Sequence, residues 1–170
     1  MKPEIFLGDI IDSGLSYLNG LGGPAPSDDA RRMLLAIALQ ESGPGLNARY
    51  QNSPLATPGP ARGWWQFEQN GGVVGVLTHA ASSMMAYGAC STLAVVPESA
   101  AVWRALEGHD VLACVFARLL LWTDPRPLPV AETPAWDYYL RNWRPGKPHR
   151  EAWSANWKTA NDAVMKGLVA

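Results

Sequence analysis

The chain has little of several features that would identify a protein class at once. Cysteine occurs only twice, at Cys90 and Cys114, in apolar surroundings and without the spacing of zinc ligands, so we expect two buried free thiols. Charge of either sign is not in excess, because 14 Lys and Arg face 15 Asp and Glu, a formal net charge of -1. A global basic field is therefore missing, and we expect no nucleic-acid partner. No disulfide or metal is needed to explain a fold of this size, and we expect no metal and no cofactor.

Long hydrophobic runs are also missing. The most apolar stretch, 111–122, is too short to span a membrane, so no membrane span is expected. The N-terminal stretch contains Glu4 and Asp9, which the apolar core of a secretion signal would not tolerate. We therefore expect a protein made in the cytoplasm without a signal peptide. A length of 170 residues with 48% hydrophobic content is enough for one domain with a substantial core, covering 1–170.

Apolar periodicity predicts a mainly α fold, a single compact helical domain. The expected helices are 3–19, a helix capped by Ser27 and ending near 42, 71–88, 99–106, 111–122 capped by Asp110, 135–143 following Thr133 and Pro134, and 151–167. The fifth helix in this series, 111–122, is apolar on every face except for Arg118, which predicts a central position and a partner for that charge. The segment 43–62 contains four prolines and three glycines, and predicts a long irregular loop.

Glu41 is the main candidate for a functional acid in this sequence. It continues the apolar stripe of Leu34, Ile37 and Ala38 and lies in the last helical turn, because Gly43, Pro44 and Gly45 follow. Burial and the carbonyl end of the helix dipole both disfavour its charged form, so its pKa should rise. Such a carboxyl suits a general acid. There are two alternative interpretations of Glu41: it forms a buried ion pair, or the apolar stripe is displaced by one residue and does not include it.

Two short motifs in this region resemble those of soluble lytic transglycosylases and goose-type lysozymes. The family pattern is a helix ending in Glu-Ser, then a loop, then Gly-Ala-x-Gly-Leu-Met-Gln. Here Glu41-Ser42 match the first motif, and Pro60-Ala61-Arg62-Gly63-Trp64-Trp65-Gln66 correspond to the second. Ala61, Gly63 and Gln66 match directly, whereas Pro60, Trp64 and Trp65 depart from the pattern. The resemblance covers about a quarter of the chain.

The resemblance implies a lysozyme-like α+β fold, with a long loop or small hairpin beside an active-site cleft. It implies Glu41 as the catalytic acid and Gln66 as a residue lining the glycan cleft. Ser42 and Gly63 are expected to contribute to substrate binding, and at least one indole of Trp64 and Trp65 should face the cleft.

The family's third motif, Ala-Tyr-Asn-x-Gly, has no literal copy in the chain. The nearest stretch is 136–143, where Tyr138 or Tyr139 would take the place of the tyrosine that lies near the acid. Asn47, Arg49, Tyr50, Gln51 and Asn52 are candidates for hydrogen bonds to sugar hydroxyls. A basic patch formed by Arg141, Arg144, Lys147, His149 and Arg150 would suit an anionic wall polymer, although a solvated face is the simpler interpretation.

The resemblance implies cleavage of the β-1,4 bond between N-acetylmuramic acid and N-acetylglucosamine, most simply by a lytic transglycosylase with one acid. Most glycosidases use two carboxylates, and Glu68 is the nearest candidate for a second. The alternatives are a hydrolytic muramidase and a non-catalytic glycan-binding or virion structural protein. The expected partner is the peptidoglycan glycan strand. A wall enzyme without an export signal suggests a phage product delivered by a virion, with possible tail-protein partners, or through a holin.

Overall fold

The computed structural model of the chain describes residues 1–47, 49 and 59–167, and these form a mainly helical domain around one core. The predicted mainly α class is therefore confirmed. In chain order the elements are α1 (Pro3–Phe6), a π-helical segment (Leu7–Asp12), α2 (Ser13–Gly20), α3 (Asp28–Ser42), β1 (Ala61–Arg62), β2 (Phe67–Glu68), a second π-helical segment (Gln69–Val73), α4 (Val74–Thr78), α5 (Ser83–Thr92), α6 (Ser99–Ala105), α7 (Asp110–Trp122), α8 (Glu132–Trp143) and α9 (Arg150–Gly167).

The N-terminal helical segment, from α1 to α2, has one apolar face. Leu7, Ile11, Leu15 and Leu18 are all buried on the face that packs against the core. A glycine in this helix has a packing reason: a Cβ added at Gly14 would lie 2.4 Å from the Cβ of Cys114. The missing side chain therefore lets α2 and α7 approach closely, and this outweighs the helix propensity that glycine loses.

Helix α3 begins and ends where the sequence predicts. The Ser27 hydroxyl accepts a hydrogen bond from the backbone N–H of Ala30 at 3.2 Å, and the helix ends at Ser42. Helix α9 packs along α3, and the amide of Asn156 donates to Gln40 Oε1 at 2.9 Å. The buried face of α3 is thus covered by the C-terminal helix.

The predicted single helix over 71–88 is wrong. The chain forms a π-helical segment and α4, turns at His79–Ser82, and continues as α5, which is inclined by 102°. A single apolar face does not run through this segment, because Met84 is 82% exposed and Ala81 is also exposed. The side chain of Ser82 is buried and donates to the carbonyl of Val76, which satisfies a backbone group where the helix is broken.

Helix α7 is central, as its apolar sequence predicts, but its predicted cap is wrong. His109 occupies the N-cap position, and its Nδ1 accepts from the N–H of Leu112 at 3.3 Å. Asp110 lies one residue later, inside the helix, and its carboxylate binds Arg49 instead. Both cysteines are free and buried, as expected.

Helix α8 begins at Glu132, earlier than predicted. Ala131 takes the cap position in place of Thr133, and Pro134 lies inside the first turn. Proline is tolerated there because the first N–H groups of a helix have no intrahelical partner.

Strands β1 and β2, each two residues long, pair antiparallel as a hairpin, with Ala61 opposite Glu68 and Arg62 opposite Phe67. Tyr50, Gln51 and Asn52, for which predictions were made, lie outside the described residues. In the described part of the chain, no single helix is long and apolar enough to cross a membrane; one sharply bent pair, Gln69–Thr78 with Ser83–Thr92, passes by length and composition only.

Candidate functional site

Glu41 lies in the last turn of α3, partly buried, with the hydroxyl of Tyr139 directly beside it. The Tyr139 hydroxyl donates to Glu41 Oε1 at 2.7 Å across a separation of 98 residues. Burial raises the pKa of Glu41 to about 7, while the hydrogen bond from Tyr139 opposes that rise. A carboxyl whose pKa lies near neutrality can both give and take a proton at that pH.

A second carboxylate lies close enough to influence the first. Glu68, at the end of β2, is exposed, and its negative charge also raises the pKa of Glu41. The hairpin therefore brings the acid that follows the Gln66 motif toward the acid at the end of α3. The sequence spacing did not determine whether Glu68 would face this way.

The turn between the two strands is fixed to the helix that carries Glu41. The Ser42 hydroxyl is buried and donates to the carbonyl of Trp64 at 2.6 Å. Gly63 has φ +73°, and a Cβ there would lie 2.5 Å from the carbonyl oxygen of Leu106. Ser42 and Gly63 thus hold the turn in place, a positional role that motif matching did not identify.

Both indoles of the Trp pair belong to the core, so the expectation that one of them faces a cleft is wrong. Trp65 is fully buried, and its Nε1 donates to the carbonyl of Leu34 at 2.9 Å. Trp64 is 5% exposed, and its Nε1 donates to Asp110 at 3.0 Å. These bonds satisfy the polar atom of each indole inside the protein, and an aromatic ring so satisfied gains most by burying its whole area.

Arg49 completes the cover over Trp64. Its guanidinium makes a two-point ion pair with Asp110, at 2.6 and 2.9 Å, and lies 4.4 Å from the centre of the indole ring. The predicted role of Arg49 in binding sugar hydroxyls is therefore replaced by a structural one. Asn47, the other predicted loop residue in the described part, is exposed.

Gln66 is half-buried, and its side chain turns back on its own turn. It has φ +50°, and its amide Nε2 donates to the carbonyl of Gly63 at 2.8 Å. One donor of the side chain is thus used locally, and the amide carbonyl and the second N–H have no hydrogen-bond partner among the described residues.

The two candidate tyrosines separate onto different faces of α8. Tyr139 binds Glu41, whereas the hydroxyl of Tyr138 donates to the backbone carbonyl of Leu121 at 2.8 Å. Tyr138 is 3% exposed and does not contact Glu41, so the substrate-binding position predicted for it is wrong. The Tyr139 ring is stacked on Trp153 at 5.1 Å between ring centres, which fixes the direction of its hydroxyl.

The structure also reveals a contact that the motifs did not indicate. Trp143, at the end of α8, donates from Nε1 to the backbone carbonyl of Trp65 at 2.9 Å. The hairpin turn is therefore attached to α3 through Ser42 and to α8 through Trp143. The sequence shows only that 136–143 is rich in aromatic residues, and this does not predict the hydrogen bond between Trp143 and Trp65.

Comparison with known proteins gives no further assignment. No family model, no curated protein and no solved structure matches this chain.

The basic patch is largely compensated by neighbouring acids. Arg141 pairs with Asp124 at 2.8 Å, and Arg150 pairs with Glu132 at 3.3 Å. His149 lies 3.1 Å from Glu151, while Arg144 and Lys147 are exposed. Among the residues for which positions are given, no group of three or more His, Cys, Asp or Glu is arranged to hold a metal ion.

Two surface grooves lie elsewhere, one along α8 and α9 and one beside Arg118, and Glu41 lines neither. The chemistry available at the Glu41 site is proton transfer by one carboxyl that a tyrosine orients, with a second carboxylate nearby.

Proposed function

We propose that this protein cleaves peptidoglycan glycan strands as a lytic transglycosylase, with Glu41 as its only acid–base residue. The observation that carries the proposal is the 2.7 Å hydrogen bond from Tyr139 to Glu41, a carboxyl whose pKa burial raises to about 7. This hydrogen bond links Glu41 of the first motif to Tyr139 of 136–143, the stretch that is nearest to the family's third motif. The proposed bond is the β-1,4 linkage between N-acetylmuramic acid and N-acetylglucosamine.

In this mechanism, protonated Glu41 gives its proton to the glycosidic oxygen. The bond between that oxygen and C1 of the muramic acid breaks, and the other sugar leaves with a new hydroxyl at C4. The positive charge then spreads over C1 and the ring oxygen. The Glu41 carboxylate next takes the proton of the C6 hydroxyl while O6 bonds to C1, which closes a 1,6-anhydro ring and restores the acid.

Tyr139 serves this mechanism as a positioning residue. Its hydroxyl occupies Oε1, so the transferred proton lies on Oε2. Ser42 and Gly63 fix the turn that presents Gln66, and Gln66 contributes its free amide groups to sugar binding. Trp64 and Trp65 support the turn from inside the core and have no contact with the glycan.

Digestion of purified peptidoglycan tests the proposal. Wild type should release soluble muropeptides with 1,6-anhydro ends, detected by mass spectrometry, and Glu41→Gln should release less than one hundredth as much. Glu98→Gln is the matched control, because Glu98 is an exposed acid distant in sequence from the site, and it should act like wild type. Equal release by wild type and Glu41→Gln would refute the assignment.

Hydrolysis by a muramidase is a second candidate, and the closeness of Glu68 to Glu41 favours it. A second carboxylate could activate water in place of the C6 hydroxyl. The same digestion separates the two, because hydrolysis leaves reducing ends. Loss of activity in Glu68→Gln together with reducing ends would assign the muramidase mechanism.

A non-catalytic glycan-binding or virion structural role is a third candidate. It is favoured by the burial of Trp64 and Trp65, which removes the two aromatic faces expected in a sugar cleft. Sedimentation of the protein with insoluble peptidoglycan, unchanged in Glu41→Gln and without product release, would support this role. Such a protein would fit delivery in a phage virion, in contact with tail proteins.

A further inference from the structure

A groove of about 540 Å³ lies on the side of α7 and α8 that Tyr138 faces, and it has no residue in common with the Glu41 site. One wall is apolar and is formed by Leu121, Trp122, Pro125, Pro127 and Leu128. A volume in the range of 300 to 1,000 Å³ is typical of small-molecule sites. The groove therefore has the size and the apolar wall of a ligand site.

Arg118 lines this groove and lacks a partner that would explain its burial. The residue is 5% exposed, and its Nε makes no hydrogen bond. No ion pair of Arg118 occurs within the described part of the chain, and its guanidinium lies 5.2 Å from the ring centre of Trp122. An unpaired buried charge is costly, and partners of a guanidinium are normally carboxylates, phosphates or carbonyls.

The acids that line the groove are already engaged by other cations. Asp29 pairs with Arg32 at 2.8 Å, and Asp124 accepts from Arg141 at 2.8 Å and from Arg126 at 3.1 Å. Although burial acts to raise it, the hydrogen bond from the backbone N–H of Arg126, at 3.0 Å, and those from the side chains of Arg141 and Arg126 hold the pKa of Asp124 well below its usual range. Asp29 and Asp124 thus already face three cations, and among the described residues that line the groove no further carboxylate is present to pair with Arg118.

We propose that this groove binds a monocarboxylate with an apolar body, the carboxylate on Arg118 and the body against Trp122 and the proline wall. The apolar lining residues favour an anion that carries an apolar body over inorganic phosphate, which has none. A planar carboxylate also matches the guanidinium fork. Two sources share this chemistry: a free organic acid and the C-terminus of a peptide that ends in an apolar residue.

Calorimetric titration of the whole chain tests the site with four probes. These are 4-methylpentanoate, its amide, an N-acetylated tripeptide ending in leucine, and inorganic phosphate. The carboxylate should bind, while the amide and phosphate should bind at least tenfold more weakly. Stronger binding of the tripeptide would identify a peptide C-terminus as the source, and stronger binding of the small acid would identify a free acid. No carboxylate binding, or tighter phosphate binding, would overturn the proposal.

Variants locate the binding. Arg118→Met keeps the volume of the side chain and should weaken carboxylate binding at least tenfold, and Arg118→Lys should bind with intermediate affinity. Arg104→Met, which removes an exposed positive charge elsewhere, should bind like wild type.

Thermal unfolding distinguishes a binding role from a structural one. Because Arg118 lacks a partner, Arg118→Met should unfold at the wild-type temperature or above it. A large loss of stability in Arg118→Met, or carboxylate binding equal to that of wild type, would contradict the site. NMR locates the ligand beside Trp122. The indole N–H resonance of Trp122 is assigned by its loss in Trp122→Phe, and in wild type it should shift when 4-methylpentanoate is added. An unshifted resonance would place the binding site elsewhere.

Discussion

At the scale of single residues, the environment of Glu41 is a balance between three influences. Burial and the charge of Glu68 raise its pKa, and the hydroxyl of Tyr139 opposes them. A hydrogen bond that donates to a carboxylate stabilises the charged form, whereas a like charge destabilises it. Changes at the two neighbours should therefore move the pKa of Glu41 in opposite directions.

Tyr139→Phe should raise the pKa of Glu41 above about 7, because it removes the donor to Oε1. The measurement is NMR titration of the side-chain carboxyl carbon of Glu41, assigned by its loss in Glu41→Gln. Tyr138→Phe is the matched control, since its hydroxyl binds the carbonyl of Leu121 and not Glu41. An unchanged or lower pKa in Tyr139→Phe would contradict this balance.

Glu68→Gln should lower the pKa of Glu41, because it removes the nearby negative charge. The same carbon resonance reports the change. Added salt should produce a shift of the same sign in wild type, since Glu68 is exposed and its charge is screened. Identical titration of wild type and Glu68→Gln would place the second carboxylate too far away for a role in catalysis.

At the scale of elements, the hairpin is short, and its position depends on contacts from three helices. Ser42 of α3 and Trp143 of α8 donate to its backbone, and Asp110 of α7 accepts from the indole of Trp64. Two residues per strand are too few to hold the turn by pairing alone. The second motif is thus positioned by tertiary contacts.

Gly63→Ala should destabilise the protein by about 1–3 kcal/mol, because the turn needs a positive φ and the added Cβ would meet the carbonyl of Leu106. Gly75→Ala is the matched control. Gly75 lies in α4 with open space around its Cβ position, so alanine there should stabilise by up to about 1 kcal/mol. Urea unfolding measures both changes, and equal effects of the two substitutions would contradict the packing described for Gly63.

The elements show which signals in the sequence were sufficient. The caps and periodicity of α3 are local, and Ser27 and Glu41 lie where they predict. The burial of Trp64 and Trp65 depends on partners 46 and 31 residues distant, Asp110 and Leu34, which no local pattern contains. The break between α4 and α5 was missed because an apolar pattern with 3.6-residue periodicity can continue across a turn.

The choice between Tyr138 and Tyr139 could not be made from the sequence for a related reason. Both are large aromatic residues on a helix whose two sides are covered, so burial does not distinguish them. The orientation of α8 is fixed by Trp143 against the hairpin and by Trp153 against Tyr139. Only the packed molecule shows which hydroxyl reaches Glu41.

At the scale of the whole molecule, α9 supports the site through an aromatic stack. Trp153 is fully buried and stacks on Tyr139 at 5.1 Å, and Trp157 stacks on Trp153 at 6.2 Å. The C-terminal helix thus positions the hydroxyl that binds Glu41, although it contributes no group to the site.

Trp153→Ala should cost about 3–5 kcal/mol of unfolding free energy, as expected for loss of a buried indole. Tyr87→Ala is the control, an aromatic residue that is 48% exposed, and it should change stability by about 0.5 kcal/mol. Chemical unfolding followed by circular dichroism measures both. A loss below about 1 kcal/mol for Trp153→Ala would show that α9 does not support the core.

The raised pKa of Glu41 also makes the stability of the whole molecule depend on pH. Its pKa is about 7 in the folded protein against an ordinary value of 4.5, so between these values the folded state holds more protons than the unfolded state. Stability must then fall as pH rises through that window, and at ~1.36 kcal/mol per pKa unit the fall is about 3 kcal/mol.

Glu41→Gln should remove this fall, because the amide does not titrate. The free energy of unfolding, measured in urea at intervals from pH 4 to pH 8, should decrease by about 3 kcal/mol more in wild type than in Glu41→Gln. Most of the divergence should lie between pH 4.5 and 7. Glu98→Gln should follow the wild-type curve. Parallel curves for wild type and Glu41→Gln would mean that Glu41 titrates normally, and the proton donor on which the proposed chemistry depends would be lost at neutral pH.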